Sequence, residues 1–188
     1  RPSAKTTGFS EESRLYRLAI NAANRLHPDF VIVCGDMVQD STDAAQLNEI
    51  TRISAELDDD IPIRWVPGNH DVGNSLTMDS LAQYRNQFGD DNFYFDHKGT
   101  RFVVLNSNIG FYQPGPTGEW ENQISFLNSA LQNSGINTHT VIFTHHPLFI
   151  ENRDEPDTDL VIPSERRLIL LDILKKHGVW GMFSGHWH

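Results

Sequence analysis

Phe30-Val31-Ile32-Val33-Cys34-Gly35-Asp36 sets five apolar residues in a row and closes them with a glycine and a carboxylate. An apolar run of strand length without polar alternation belongs to a strand buried on both faces, the habit of parallel sheets covered by helices. Upstream, Leu15, Leu18, Ala19, Ala22 and Leu26 recur at three- and four-residue steps, which predicts an amphipathic helix capped by Ser10 and stopped by Pro28. Downstream the unit repeats. A helix from about Asp43 to Leu57 leads into the strand Ile61 to Val66, which ends in Pro67-Gly68-Asn69-His70-Asp71.

A shorter helix around Leu81 to Phe88 precedes two alternating strands, Asn92 to Asp96 and Arg101 to Asn106, joined by the hairpin turn His97-Lys98-Gly99-Thr100. Proline and glycine make Ile109 to Gly118 a loop, and a helix follows from about Trp120 to Gln132. The strand Thr140 to Thr144 ends in His145-His146-Pro147, and the acidic stretch Glu151 to Asp159 reads as a loop. Ser164 is the expected cap of a last helix that Gly178 closes, before the strand Val179 to Phe183 runs into Gly185-His186-Trp187-His188. This alternation predicts an α/β fold with a mixed, mostly parallel sheet flanked by helices and one antiparallel hairpin.

The 188 residues, 38% of them hydrophobic, suit one globular core, so residues 1–188 read as a single domain. A formal net charge of -10 opposes a broad electrostatic grip on long nucleic acid or on an anionic membrane. No apolar run approaches bilayer length, so the visible chain reads as soluble, cytoplasmic or exported. The single cysteine, Cys34, lies inside the first strand and reads as a packing residue. The chain opens on Arg1 rather than Met and stops directly after a strand-like run, so we expect an interior piece lacking its first strand and its C-terminal strands.

Four predicted strands end in residues of metal-ligand type: Asp36, Asn69-His70-Asp71, His145-His146, and His186 with His188. In open α/β sheets the loops at the carboxyl ends of the strands line the binding crevice, so these groups can converge. A carboxylate can bridge two cations while imidazoles and an amide oxygen fill outer positions. That mixed oxygen and nitrogen set suits Mn, Fe or Zn better than Ca or a thiolate-rich zinc site. Two such cations about 3.5 to 4 Å apart acidify a bridging water and clamp a phosphate.

The blocks Gly35-Asp36, Gly68-Asn69-His70-Asp71, His145-His146-Pro147 and Gly185-His186-Trp187-His188, in that order, resemble the calcineurin-like metallophosphoesterase superfamily. Phe93-Tyr94-Phe95-Asp96 to Asn106-Ser107 and Pro163-Ser164-Glu165-Arg166-Arg167 further resemble its single-domain members, which include phosphoprotein phosphatases. The resemblance implies a metallophosphatase-type β-sandwich α/β fold. It implies that Asp36 bridges both metals, that Asn69, His145 and His186 complete one site, and that His188 serves the other. It also implies a catalytic pair, with His70 facing the scissile phosphate and Asp71 orienting it. Asn69, His70, His146 and Arg153 are the expected substrate contacts. The family's opening Asp-x-His has no counterpart before Asp36 and is expected upstream of Arg1.

The function so implied is a phosphomonoesterase acting on phosphoprotein or a small phosphate ester, with attack by a metal-bridging hydroxide and no covalent enzyme intermediate. A phosphodiesterase or nuclease on the same fold is the alternative within catalysis, and a non-catalytic binding scaffold the alternative outside it. A purple acid phosphatase needs a tyrosinate three residues after the bridging Asp, where this chain has Gln39. The aromatic and proline group Phe111, Tyr112, Pro114 and Pro116 reads either as a wall of the substrate cleft or as a rigid surface turn.

Overall fold

The computed structural model describes residues 8–73, 75–132 and 139–187. The first half forms two helix–strand units. Helix α1 (Ser10–Leu26) and helix α2 (Ala44–Ser54) pack on the parallel pair β1 (Val31–Val33) and β2 (Ile63–Trp65). Ile20, Ile53, Leu57 and Ile61 form the core between them, with Val31 and Ile63 from the strands against it. Asp43 caps α2, its carboxylate accepting the Ala45 N–H at 2.8 Å and the Gln46 N–H at 3.4 Å. Ser10, in contrast, is no cap. It is the first helical residue, Phe9 stands in the cap position, and no side chain bonds there.

Helix α3 (Met78–Phe88) begins earlier than its apolar pattern suggested, because Thr77 and Ser80 form a reciprocal capping box with both bonds at 3.0 Å. The second half builds the sheet β3-β4-β5-β6, from Phe93–His97, Thr100–Val104, His139–Phe143 and Gly181–Phe183. The β3–β4 pair is the expected antiparallel hairpin, and β5 and β6 add in parallel. Helices α5 (Glu119–Gln132) and α6 (Ser164–Lys176) bury Leu127, Leu131 and Leu170 against Val103 and Ile142. Ser164 opens α6 without capping it, since its N–H and hydroxyl both go to Asp157.

The mixed, mostly parallel α/β arrangement flanked by helices is present as expected, its strands divided between two sheets. They meet through side chains rather than backbone pairing: Phe30, just before β1, sets its ring edge-on to Phe95 and Phe102 at 5.1 and 5.0 Å. The stretch expected as a loop from Ile109 begins instead inside a one-turn helix, α4 (Ser107–Phe111), capped by Asn106 through the Asn108 N–H. One turn is too short to carry apolar periodicity. Among the described residues, no helix is long and apolar enough to cross a membrane.

Candidate metal centre

Strands β1, β2, β5 and β6 deliver their carboxyl-terminal loops to one place, and three glycines let those loops touch. A Cβ on Gly35 would collide with the His145 ring, and one on Gly68 with the backbone nitrogen of Asp36. On Gly185 it would stand 2.5 Å from the Cys34 carbonyl oxygen. Asp36 and His186 follow in the left-handed region, with φ of 57° and 66°. Non-glycine residues adopt that conformation at a cost, which surrounding contacts must offset, and such residues gather at functional sites.

His145 is 1% exposed, and its Nδ1–H donates to the Cys34 carbonyl at 2.8 Å, across 111 residues of sequence. The ring is thereby held with its lone pair on Nε2. That atom lies 3.1 Å from Asn69 Oδ1, 3.0 Å from His186 Nδ1 and 3.4 Å from Asp36 Oδ1. His186 is fixed in the complementary sense, its Nε2–H donating to the Asp159 carbonyl at 3.1 Å, so Nδ1 carries its lone pair. Four lone pairs from four loops thus face one another. They repel until a cation stands among them, and imidazoles whose other N–H is held by a backbone carbonyl are the usual form of metal-bound histidine. The mixed oxygen and nitrogen donor set fits a transition metal ion, with Cys34 supplying a carbonyl and no thiolate.

His146 completes a group in which a nitrogen of each of His145, His146 and His186 lies within 4.8 Å of the others. Its role differs. Ser107 Oγ accepts the N–H groups of His145 and His146 at 3.2 and 2.9 Å, so its hydroxyl hydrogen goes to His146 Nδ1 at 3.0 Å. That leaves the His146 proton on Nε2, a buried donor. Burial first, and then the neighbouring His145 and His186, hold its pKa well below the ordinary imidazole value. The ring is 0% exposed and stacks on Phe111 at 4.1 Å. With no accessible surface, the His146 side chain, an expected substrate contact, packs behind the His145 and His186 rings.

Asp71, expected to orient His70, is buried beside the centre. Only 2% exposed, it accepts the N–H groups of Asp36 and Gly68 at 2.8 Å each on Oδ2 and that of Val38 at 3.1 Å on Oδ1. Its carboxylate ties the two ligand-bearing loops together and makes no bond to the His70 ring. Burial pushes its carboxyl up to about 7, with Asp36 adding in the same sense and the three N–H groups pulling back. The His70 ring is held instead by Gln39, whose amide nitrogen lies 2.8 Å and carbonyl oxygen 3.0 Å from Nδ1.

Of the other expected residues, Asn69 joins the cluster, and the His70 N–H reaches Asp36 Oδ1 at 3.2 Å. Arg153 does not join them, for its guanidinium pairs with Asp154 at 3.5 Å on the exposed loop. Arg166 binds the Ile109 carbonyl and lies over the Trp120 ring at 4.7 Å, clamping α4. His188 lies outside the described residues. Phe111 borders His186 at 6.3 Å, and Tyr112, its hydroxyl pKa raised by burial and then by the Asp36 charge, stands beside the centre. The aromatic pair therefore walls the site. Sequence reading missed Ser107 and Gln39 as site residues; the signal for Gln39 was its place three residues after Asp36, inside the same strand-end loop.

The calcineurin-like phosphoesterase model matches residues 9–188, and the chain belongs to that family. The serine/threonine-protein phosphatase CPPED1 of Bos taurus is 32% identical over 188 residues, covering 96% of this chain and 60% of the relative. The chain thus spans about three-fifths of the length of the curated relatives it matches. Among solved structures, a dimetal phosphatase from Danio rerio aligns with a TM-score of 0.69 at 16% identity, over 99% of this chain and 76% of that one. The purple acid phosphatase PPD1 from yellow lupin (Lupinus luteus) aligns with a TM-score of 0.71 at 15% identity, over 94% and 33%. Both likenesses are of fold.

Proposed function

We propose that the protein is a metal-dependent phosphomonoesterase acting on phosphoprotein or a small phosphate ester. The carrying observation is the ring of lone pairs on Asp36, Asn69, His145 and His186, with both imidazoles locked by backbone carbonyls. These four residues would hold one ion, and Asp36 and His188 would contribute to a second. Bound ions of the Mn, Fe or Zn type supply Lewis acidity and an acidified water. The chain's own residues do the rest. Asn69 orients the reacting phosphate beside the centre, His70 donates to its oxygens, and Phe111 and Tyr112 wall it against solvent. Family membership and the name of the curated relatives support the phosphoprotein reading.

The test is turnover of a generic aryl phosphate by the full-length protein with metal content measured in parallel. Activity should need Mn, Fe, Zn or a similar ion and vanish with EDTA. Full activity after exhaustive chelation, with negligible residual metal, would refute the proposal.

A further inference from the structure

We infer that Gln39 is the positioning residue for His70 and sets which ring nitrogen carries its proton; the consequence for turnover rests on the phosphoesterase reading above. Nδ1 of His70 is approached by two atoms of this one residue, the amide nitrogen at 2.8 Å and the backbone carbonyl oxygen at 3.0 Å. The two make opposite demands. The amide N–H requires a bare Nδ1, whereas the carbonyl requires Nδ1–H. The shorter contact is the amide's, so the neutral ring keeps its proton on Nε2, the nitrogen on the far side from Gln39.

Gln39 can impose this because it is itself mounted rigidly. Its N–H donates to Gln46 Oε1 at 2.7 Å, and Gln46 Nε2 donates to Asp43 Oδ2 at 2.9 Å. Asp43 in turn caps α2. Both ends of the Gln46 amide are committed, so the first turn of α2 is a fixed base for Gln39. Asp71, the carboxylate next to His70 in sequence, is committed to three backbone N–H groups elsewhere. A neutral amide therefore does what a carboxylate would do by charge. The ring acts as a hydrogen-bond donor through Nε2–H to a phosphoryl or leaving oxygen, and no proton changes owner.

The experiment is nitrogen-15 NMR of the histidine side chains in the full-length protein with zinc as the diamagnetic ion. It compares wild type with Gln39→Leu and with Gln39→Glu, which keeps nearly the same volume. Wild-type His70, assigned by its loss in His70→Ala, should show the Nε2–H tautomer. Gln39→Leu removes the amide donor and leaves the backbone carbonyl at position 39, so the proton should move to Nδ1. Gln39→Glu sets a carboxylate beside Nδ1, so that nitrogen should gain a proton while the ring, as imidazolium, keeps Nε2–H, with zinc stoichiometry and fold unchanged in both. On an aryl phosphate, kcat of Gln39→Leu should fall about 10-fold or more while KM changes less than about 2-fold, as expected for a lost donor, and Gln39→Glu should retain more of the wild-type kcat. A His70 signature identical in wild type and both variants would overturn the assignment. A wild type inactive with every metal would overturn the phosphoesterase reading instead, and the NMR result would still decide the role of Gln39.

Discussion

At the scale of single residues, the centre separates side chains that face ligand from side chains that aim them. His70 and Asp71 are neighbours in sequence yet belong to different tasks. His70→Ala should retain metal and native stability while kcat drops by about 10², the range for a lost proton or hydrogen-bond donor. Asp71→Asn replaces one of the two carboxylate oxygens that accept the N–H groups of Asp36, Gly68 and Val38 with an NH2 donor. It should lower stability by about 1–3 kcal/mol, because a buried N–H is left facing a donor instead of an acceptor. It should also weaken metal binding about 10- to 100-fold, since it loosens the loops beneath the ligands. Denaturant titration and metal analysis of both variants check this. An Asp71→Asn protein with native stability and metal content but low kcat would return Asp71 to the role of His70's partner.

At the scale of elements, the start of α2 carries more than helix stability. Asp43 and Thr77 each cap a helix, α2 and α3, and truncating either to alanine should cost about 1 kcal/mol. Only Asp43 also anchors Gln46, and through it Gln39 and His70. Asp43→Ala should therefore reduce kcat as well, and Thr77→Ala should leave kcat within about 2-fold. Equal kcat in two variants of equal stability, measured by urea unfolding and steady-state kinetics, would uncouple the helix start from the site. Helix starts were only partly legible in the sequence. Asp43 was readable because an apolar periodic stretch follows it, whereas Thr77 was hidden by the short apolar face of α3. Ser10 and Ser164 had cap chemistry without cap geometry, since each lies one residue inside its helix.

At the scale of the whole molecule, the proposed ligands come from loops after β1, β2, β5 and β6, so a cation bound there would cross-link both sheets. Binding to the folded chain alone should stabilise it by about 2.7 kcal/mol at a free metal concentration 100 times Kd. Thermal unfolding with increasing Mn or Zn should show Tm rising with concentration, and EDTA should reverse it. A Tm independent of metal, at concentrations where binding is measured directly, would mean that the ion is not held by these four loops together.

The sequence by itself determined which residues could meet: apolar runs set the strands, and polar residues of ligand type at their ends marked Asp36, Asn69, His145 and His186. It also determined the hairpin, through Lys98 and Gly99 with φ of 47° and 77°. Only the tertiary structure decided what each group does. Whether a histidine nitrogen is a ligand or a donor depends on what holds the other nitrogen, and those partners are Cys34, Asp159, Ser107 and Gln39, far from their rings in the chain. Likewise, a run of strand residues cannot say which strands pair by backbone and which meet by side chain. That choice was made by the packing of Phe30 on Phe95 and Phe102, a contact between residues more than sixty positions apart. Local propensity acts over a few residues, whereas tautomers and sheet assignments are set by neighbours that only folding brings together.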